Sequence, residues 1–166
     1  HKTVIFYGSS VIYMYKHDIF YAISFVSLLI TTNLPFPYQS FLQMTDADVL
    51  EVSRFRSQGR LPVLTWYNKR KGNAICRSSQ PNVGIAGNVS KLDQDMLSAV
   101  RASAPNASEL LIFDARSRLA AEGNRVRGHG TEDPIYGYTD CRLTFLGIEN
   151  IHAMRSSVDK LRDVRF

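Results

Sequence analysis

Cysteine is nearly absent from this chain: two in 166 residues, and neither Cys76 nor Cys141 has a second Cys or a His at metal-ligating or redox spacing. That excludes a disulfide framework and a zinc-ribbon module, and both residues read as free thiols of a cytosolic protein. His17, His129 and His152 also lack a neighbouring Asp, Glu or Cys at ligand spacing, so no metal site is expected. Acidic residues are in deficit as well, 15 against 20 Lys and Arg, a net charge of +5. A basic balance favours acidic partners: nucleic acid, anionic lipid or a phosphorylated ligand. The basic residues are scattered rather than striped with aromatics, which argues against nucleic acid. Long apolar runs are missing too. The best, residues 19–32, falls short of the roughly 20 apolar residues that cross a bilayer. Extending it upstream would bury Lys16, His17 and Asp18, at roughly 2.5–3.5 kcal/mol for each charge at mid-membrane. Its length suits a signal peptide, but Asp18 splits the segment and no small-residue cleavage site follows. Residues 1–37 are therefore read as a non-homologous apolar leader, with a β-rich piece of a preceding domain or a membrane anchor as alternatives.

The rest of the chain carries clear local signals. Pro35 and Pro37 forbid regular helix. Thr45 then caps a helix over 46–55, with Asp46 and Asp48 near its positive end. Residues 61–67 read as a strand opening at Pro62, residues 68–73 as a polar turn, and residues 74–77 as the partner strand. The turn carries Lys69, Arg70 and Lys71, a solvated hairpin tip or a contact for anionic membrane. Ser90 and Asp93 stand at capping-box-like spacing before a helix over 91–103, whose apolar face is Leu92, Met96, Leu97 and Val100. A buried strand is expected over 110–113, a short helix over 119–124, and a strand over 141–146. Asn150 opens the last helix, where Ile151, Met154, Val158 and Leu161 follow the spacing of a buried face. Strands alternating with helices indicate a layered α/β domain.

Three stretches stand in a telling order: RFRSQGRLPVLTWYNKRKGNAICRSSQP from Arg54 to Pro81, FDAR from Phe113 to Arg116, and GIENIHAMR from Gly147 to Arg155. In content, order and spacing they resemble landmarks of the phosphatase domain of the myotubularin family, from about Met44 to Val164. The resemblance implies an incomplete cysteine-phosphatase-like domain of the protein tyrosine phosphatase superfamily, with residues 38–166 as its N-terminal half. It also implies a parent activity: removal of the 3-phosphate from phosphatidylinositol 3-phosphate and phosphatidylinositol 3,5-bisphosphate through a cysteinyl-phosphate intermediate. No cofactor is implied.

Such chemistry needs a thiolate to attack phosphorus and an Arg with backbone amides to hold the oxygens, supplied by Cys, five residues, then Arg. Here the sixth residue after Cys76 is Asn82 and the sixth after Cys141 is Gly147, so neither cysteine is that nucleophile. The family's Cys-Ser-Asp-Gly-Trp-Asp-Arg loop does not occur, and the chain by itself is expected to be inactive. By resemblance, Asn124, Asn150 and Ile151 line the head-group pocket. Taken alone, the same residues also read as a helix C-terminal Asn beside glycine and an N-cap. The departures from the family pattern are Ser117 to Ala120 after Asp-Ala-Arg, Gly123 in place of Ala, and a longer loop over 131–140. The resemblance further implies a phosphoinositide head group and an anionic membrane surface as partners, homo- or hetero-oligomers within the family, and a cytoplasmic place at endosomal membranes. The alternative is a catalytically dead adaptor for an active partner.

Overall fold

The computed structural model describes residues 3–7, 44–68, 70–102, 104 and 107–164. The apolar run over 19–32 lies outside them. Helix α1 spans Asp46–Phe55 and opens on a reciprocal cap. The Thr45 hydroxyl oxygen accepts from the Asp48 amide, and the Asp48 carboxylate accepts from the Thr45 backbone N–H at 2.8 Å and its hydroxyl at 2.7 Å. Those donors, the backbone one first, hold the Asp48 carboxyl below its ordinary pKa. Its folded value is depressed, so the stability it contributes is present above the unfolded pKa, about 3.9, and is lost as pH falls through the folded value.

Strands β2 (Val63–Asn68) and β3 (Asn73–Arg77) form an antiparallel hairpin. Asn68 Oδ1 organises its turn by accepting the backbone N–H groups of Arg70 and Lys71, each at 3.1 Å. Helix α2 spans Lys91–Ala102, strand β4 Leu110–Asp114, helix α3 Arg118–Arg125, strand β5 Cys141–Phe145 and helix α4 Ile151–Asp163. Each lies within two residues of its sequence expectation. The N-terminal segment adds strand β1, Thr3–Tyr7. The sequence reading sets residues 1–37 apart from the phosphatase-like half, yet Thr3–Tyr7 sit at the centre of its sheet. The strand order is β2-β3-β1-β4-β5, with β1 parallel to β3 and β4, and β4 parallel to β5.

Helix α2 covers one face of this sheet. The core there comprises Ile5, Cys76, Leu97, Val100, Leu110, Ile112 and Tyr138, with Cys141 and Leu143 packed against it. A second cluster, Val49, Val52, Leu61 and Met96, joins α1 to α2. The apolar stripe of α4 is not buried: Ile151, Met154, Val158 and Leu161 are 48–70% exposed. Periodicity located that stripe, but among the described residues no surface covers it. No described helix is long and apolar enough to cross a membrane.

One feature of α2 departs from its sequence signature. Asp93 accepts no reciprocal cap role; it is fully buried and turned inward. Arg56, just past α1, donates from Nε to Asp93 Oδ1 and from Nη2 to Oδ2, both at 2.6 Å. The same guanidinium donates to Glu132 Oε1 at 2.5 Å and to the Ser79 carbonyl at 2.8 Å. Tyr138 donates its hydroxyl to Asp93 at 2.7 Å, and burial, then the Asp93 charge, drives its pKa upward. One side chain thus ties α1, α2, the loop after β3 and the loop before β5. Removing one partner of a buried ion pair costs about 3–5 kcal/mol because the remaining charge stays buried and unmatched. That is a large part of the roughly 5–15 kcal/mol that holds a domain folded. Arg56→Ala is expected to abolish or sharply lower the urea unfolding midpoint. Arg56→Lys should recover only part of it, because an ammonium cannot make the forked pair.

Candidate functional site

Because β1, β3, β4 and β5 run parallel, their C-terminal ends share one edge of the sheet. Open parallel α/β sheets bind ligands at that edge. Three segments leave it here: Ser78 to Gln80 after β3, Ala115 to Ser117 after β4, and Leu146 to Asn150 after β5. Backbone bonds stitch the last two together. The N–H groups of Leu146, Gly147 and Ile148 donate to the carbonyls of Asp114, Arg116 and Ala115 at 2.8, 3.3 and 2.7 Å. The segments that lead into α3 and α4 are thereby bonded to one another at the same edge. Ser117 caps α3 by accepting from the Ala120 amide. Arg118, in its first turn, lies 5.7 Å from the centroid of Phe145 at the end of β5.

The charged centre of this edge is Arg116. It donates to Asp114 through Nε at 2.9 and 3.1 Å and through Nη2 at 2.5 Å, and Nη1 donates to Gln80 Oε1. Asp114 is fully buried at the last position of β4, and its side chain also accepts the Arg116 backbone N–H at 3.0 Å. The Asp therefore fixes the Arg in place, and the guanidinium closes the gap between the exits of β3 and β4. The guanidinium is thus already oriented, beside two helix starts whose amides at Ala120, His152 and Ala153 are taken by the Ser117 and Asn150 caps.

The three residues proposed from sequence are placed unequally. Asn150 is the N-cap of α4, its Oδ1 accepting from the amides of His152 and Ala153 at 2.9 and 3.1 Å. Asn150 itself is exposed, at the end of the loop whose Gly147 N–H donates to the Arg116 carbonyl. Ile151 follows at once and is 60% exposed. Asn124 stands seven residues beyond Ser117, about 10 Å along the helix from the start of α3. It is half-buried, and its carbonyl accepts the N–H groups of Arg127 and His129. Asn150 and Ile151 thus stand at the sheet edge. No hydrogen bond joins Asn124 to them among the described residues.

The glycine-bearing loop after Asn124 has a packing role. A Cβ on Gly130 would lie 2.7 Å from Val83 Cβ, so only glycine lets this loop close on the segment after β3. The Gly84 N–H donates to the His129 carbonyl at 3.0 Å, and His129 Nδ1 shares a 2.9 Å hydrogen bond with Asn82 Oδ1.

Residues 39–165 match the model of the myotubularin-like phosphatase domain. The phosphatidylinositol-3,5-bisphosphate 3-phosphatase MTMR2 of Pongo abelii is 38% identical over 137 residues, covering 82% of this chain and 20% of the relative. The phosphatidylinositol-3,5-bisphosphate 3-phosphatase MTMR8 of Gallus gallus is 44% identical over 118 residues, covering 71% and 18%. Myotubularin of Xenopus laevis is 40% identical over 120 residues, covering 72% and 20%. The chain belongs to the myotubularin-related family. It spans about a fifth of the length of these curated relatives.

Within this myotubularin-related segment Cys76 is buried and Cys141 is half-buried. Burial pushes the Cys76 thiol up to about 12. Cys141 is also pushed up to about 12, by burial first and then by the Glu132 carboxylate. Both are free, and both pack in the core under α2. A nucleophilic thiol needs the opposite surroundings, a lowered pKa next to cations or a helix start. Sequence reasoning missed Arg116 with Asp114, although the Asp-Ala-Arg spacing was in view. A strand residue and the second residue beyond it can meet when the chain turns sharply at the strand end. At pH 8, four units below about 12, about one thiol in 10,000 is ionised. Disulfide reagents are therefore expected to label both cysteines at least a hundredfold faster in urea than in the native chain. Rapid native labelling of either would contradict its assigned surroundings.

Proposed function

We propose that this chain is the head-group-binding half of a myotubularin-type phosphatase domain. Its parent hydrolyses the 3-phosphate of phosphatidylinositol 3-phosphate and phosphatidylinositol 3,5-bisphosphate. The observation that carries the reading is the pairing of the family match with the sheet edge at Arg116. Two helix starts and a fixed guanidinium meet there, and they suit a phosphorylated inositol ring. Asn150 offers its amide to ring hydroxyls or phosphate oxygens while its oxygen caps α4, and Ile151 provides an apolar wall. Asn124 is included on the family pattern. The place of action is the cytoplasmic face of endosomal membranes, where the net charge of +5 favours an anionic surface.

The 166-residue chain is proposed to bind and not to hydrolyse. Burial pushes both thiols up to about 12, and neither has Arg six positions on. The same observation favours the second reading, an adaptor that engages phosphoinositide membrane or an active family member. Phosphate release from vesicles containing phosphatidylinositol 3,5-bisphosphate separates these from an autonomous enzyme. The expected rate is that of the buffer alone, and turnover removed by Cys76→Ser would overturn the reading.

Asn150 gives a second test, because its two roles separate. Asn150→Ala removes the cap and is expected to cost about 0.5–2 kcal/mol of helix stability. Asn150→Asp keeps the cap oxygen, and so the helix content by circular dichroism, but replaces the amide donor with a negative charge. Binding to the same vesicles should then fall at least tenfold. Unchanged binding would confine Asn150 to capping.

A further inference from the structure

The charge of Arg118 is offset by nothing. Arg116, two residues earlier, is matched by the buried Asp114 carboxylate. Arg142, on β5, pairs with Glu109 at 2.8 Å. Arg118 is exposed and, among the described residues, makes neither an ion pair nor a hydrogen bond. Neither Glu122, one turn on along α3, nor Glu149, in the loop after β5, pairs with it. Arg118 also falls within Ser117 to Ala120, the stretch where the sequence departs from the family pattern.

Its position is nevertheless set. The guanidinium carbon lies 5.7 Å from the centroid of the Phe145 ring, inside the roughly 6 Å reach of a cation–π contact. Phe145 registers with Asp114 on the neighbouring strand. The ring that holds Arg118 and the carboxylate that holds Arg116 therefore belong to residues one inter-strand spacing apart, about 4.8 Å. From these adjacent anchors the two side chains diverge. Arg116 reaches Gln80 at the exit of β3, and Arg118 lies over the end of β5. Together they bracket the exit of β4.

The two cations add different things. Arg116 with Asp114 is a neutral pair that can donate hydrogen bonds but brings little net attraction. Arg118 brings the unmatched positive charge. A guanidinium lying over a ring keeps its in-plane N–H donors for a bidentate acceptor, and stacking lowers the ordering cost of binding. A ligand with a single phosphate needs one such group, and a ligand with a second phosphate gains from both.

We propose that Arg118, positioned by Phe145, is a specificity-determining residue that takes a second phosphate of the head group and so selects bisphosphorylated inositol lipid over phosphatidylinositol 3-phosphate. This role rests on the head-group binding proposed for the same edge.

Co-sedimentation of the full chain with two kinds of vesicle tests it. One carries phosphatidylinositol 3,5-bisphosphate and the other phosphatidylinositol 3-phosphate, with phosphatidylserine adjusted to give equal surface charge. The wild-type chain is expected to bind the bisphosphate vesicles at least fivefold more tightly. Arg118→Ala should bring the two affinities within twofold of each other, and Arg118→Lys should fall between, because an ammonium lacks the planar fork. Phe145→Leu keeps an apolar side chain but removes the ring, and should narrow the preference in the same direction. Soluble inositol 1,3,5-trisphosphate should displace the wild-type chain, and should compete at least fivefold less well with Arg118→Ala, which assigns the contact to the head group rather than the lipid surface. The urea midpoint of Arg118→Ala should match wild type, since the side chain is exposed and unbonded. An unchanged preference in Arg118→Ala, or an equal loss on both vesicles, would overturn the role of Arg118 and leave head-group binding standing. Wild-type binding no stronger than to phosphatidylserine vesicles would remove head-group binding itself, and this role with it.

Discussion

A single guanidinium, that of Arg56, sets the geometry on which the remaining structure depends. It is enclosed, forked onto Asp93, and bonded to Glu132 and the Ser79 carbonyl. Charges out of water are tolerated only where their hydrogen bonds are met. The position of each partner is therefore constrained by the others: α1 against α2, the loop after β3 against both, and the segment before β5 against all three. Tyr138 adds its hydroxyl to Asp93 and its ring to the apolar core. Polar and apolar order meet at that residue, so the ion cluster and the sheet core form one continuous interior.

The same device recurs in smaller form at the functional edge. Asp114, buried at the end of β4, holds Arg116, and Arg116 reaches Gln80 across the sheet. In both cases a carboxylate inside the fold orients a guanidinium, and the guanidinium spans elements distant in sequence. The difference is exposure. Arg56 is sealed and serves the fold, whereas the Arg116 side chain retains 15% exposure beside two helix starts. A fixed cation at a wet edge can receive an anion without reorganising, which is the property a phosphorylated ligand exploits. The thiols lie under α2 within the core, where burial suppresses ionisation.

Local signals made most elements legible in advance. Thr45 and Asn150 mark helix starts because a side-chain oxygen at the cap satisfies amides that no helix turn can. Pro62 and the Asn68 turn bound the hairpin for equally local reasons. Asp93 shows where such reading stops. Three residues after Ser90 it has the spacing of a cap, and the Ser90 hydroxyl does accept its amide at 3.3 Å. Its carboxylate nevertheless turns inward, because Arg56 offers a stronger, forked partner in a dry interior. The α4 stripe shows the converse: periodicity identifies an apolar face without saying what lies against it. Asn124 and Asn150, alike in the family pattern, occupy different environments because one ends a helix and the other begins one.

From the residues alone came the succession of helices and strands, the family, and the finding that neither thiol carries an Arg at the spacing phosphate transfer requires. Each depends on neighbours a few positions apart, within reach of propensity, capping and motif spacing. Tertiary structure alone decided that Thr3–Tyr7 lie between β3 and β4, that Arg56 pairs with carboxylates 37 and 76 positions away, and that Arg116 reaches Gln80, 36 positions away. Those choices follow from strand edges and buried charges seeking partners through space, where separation along the chain carries no information about who will be met.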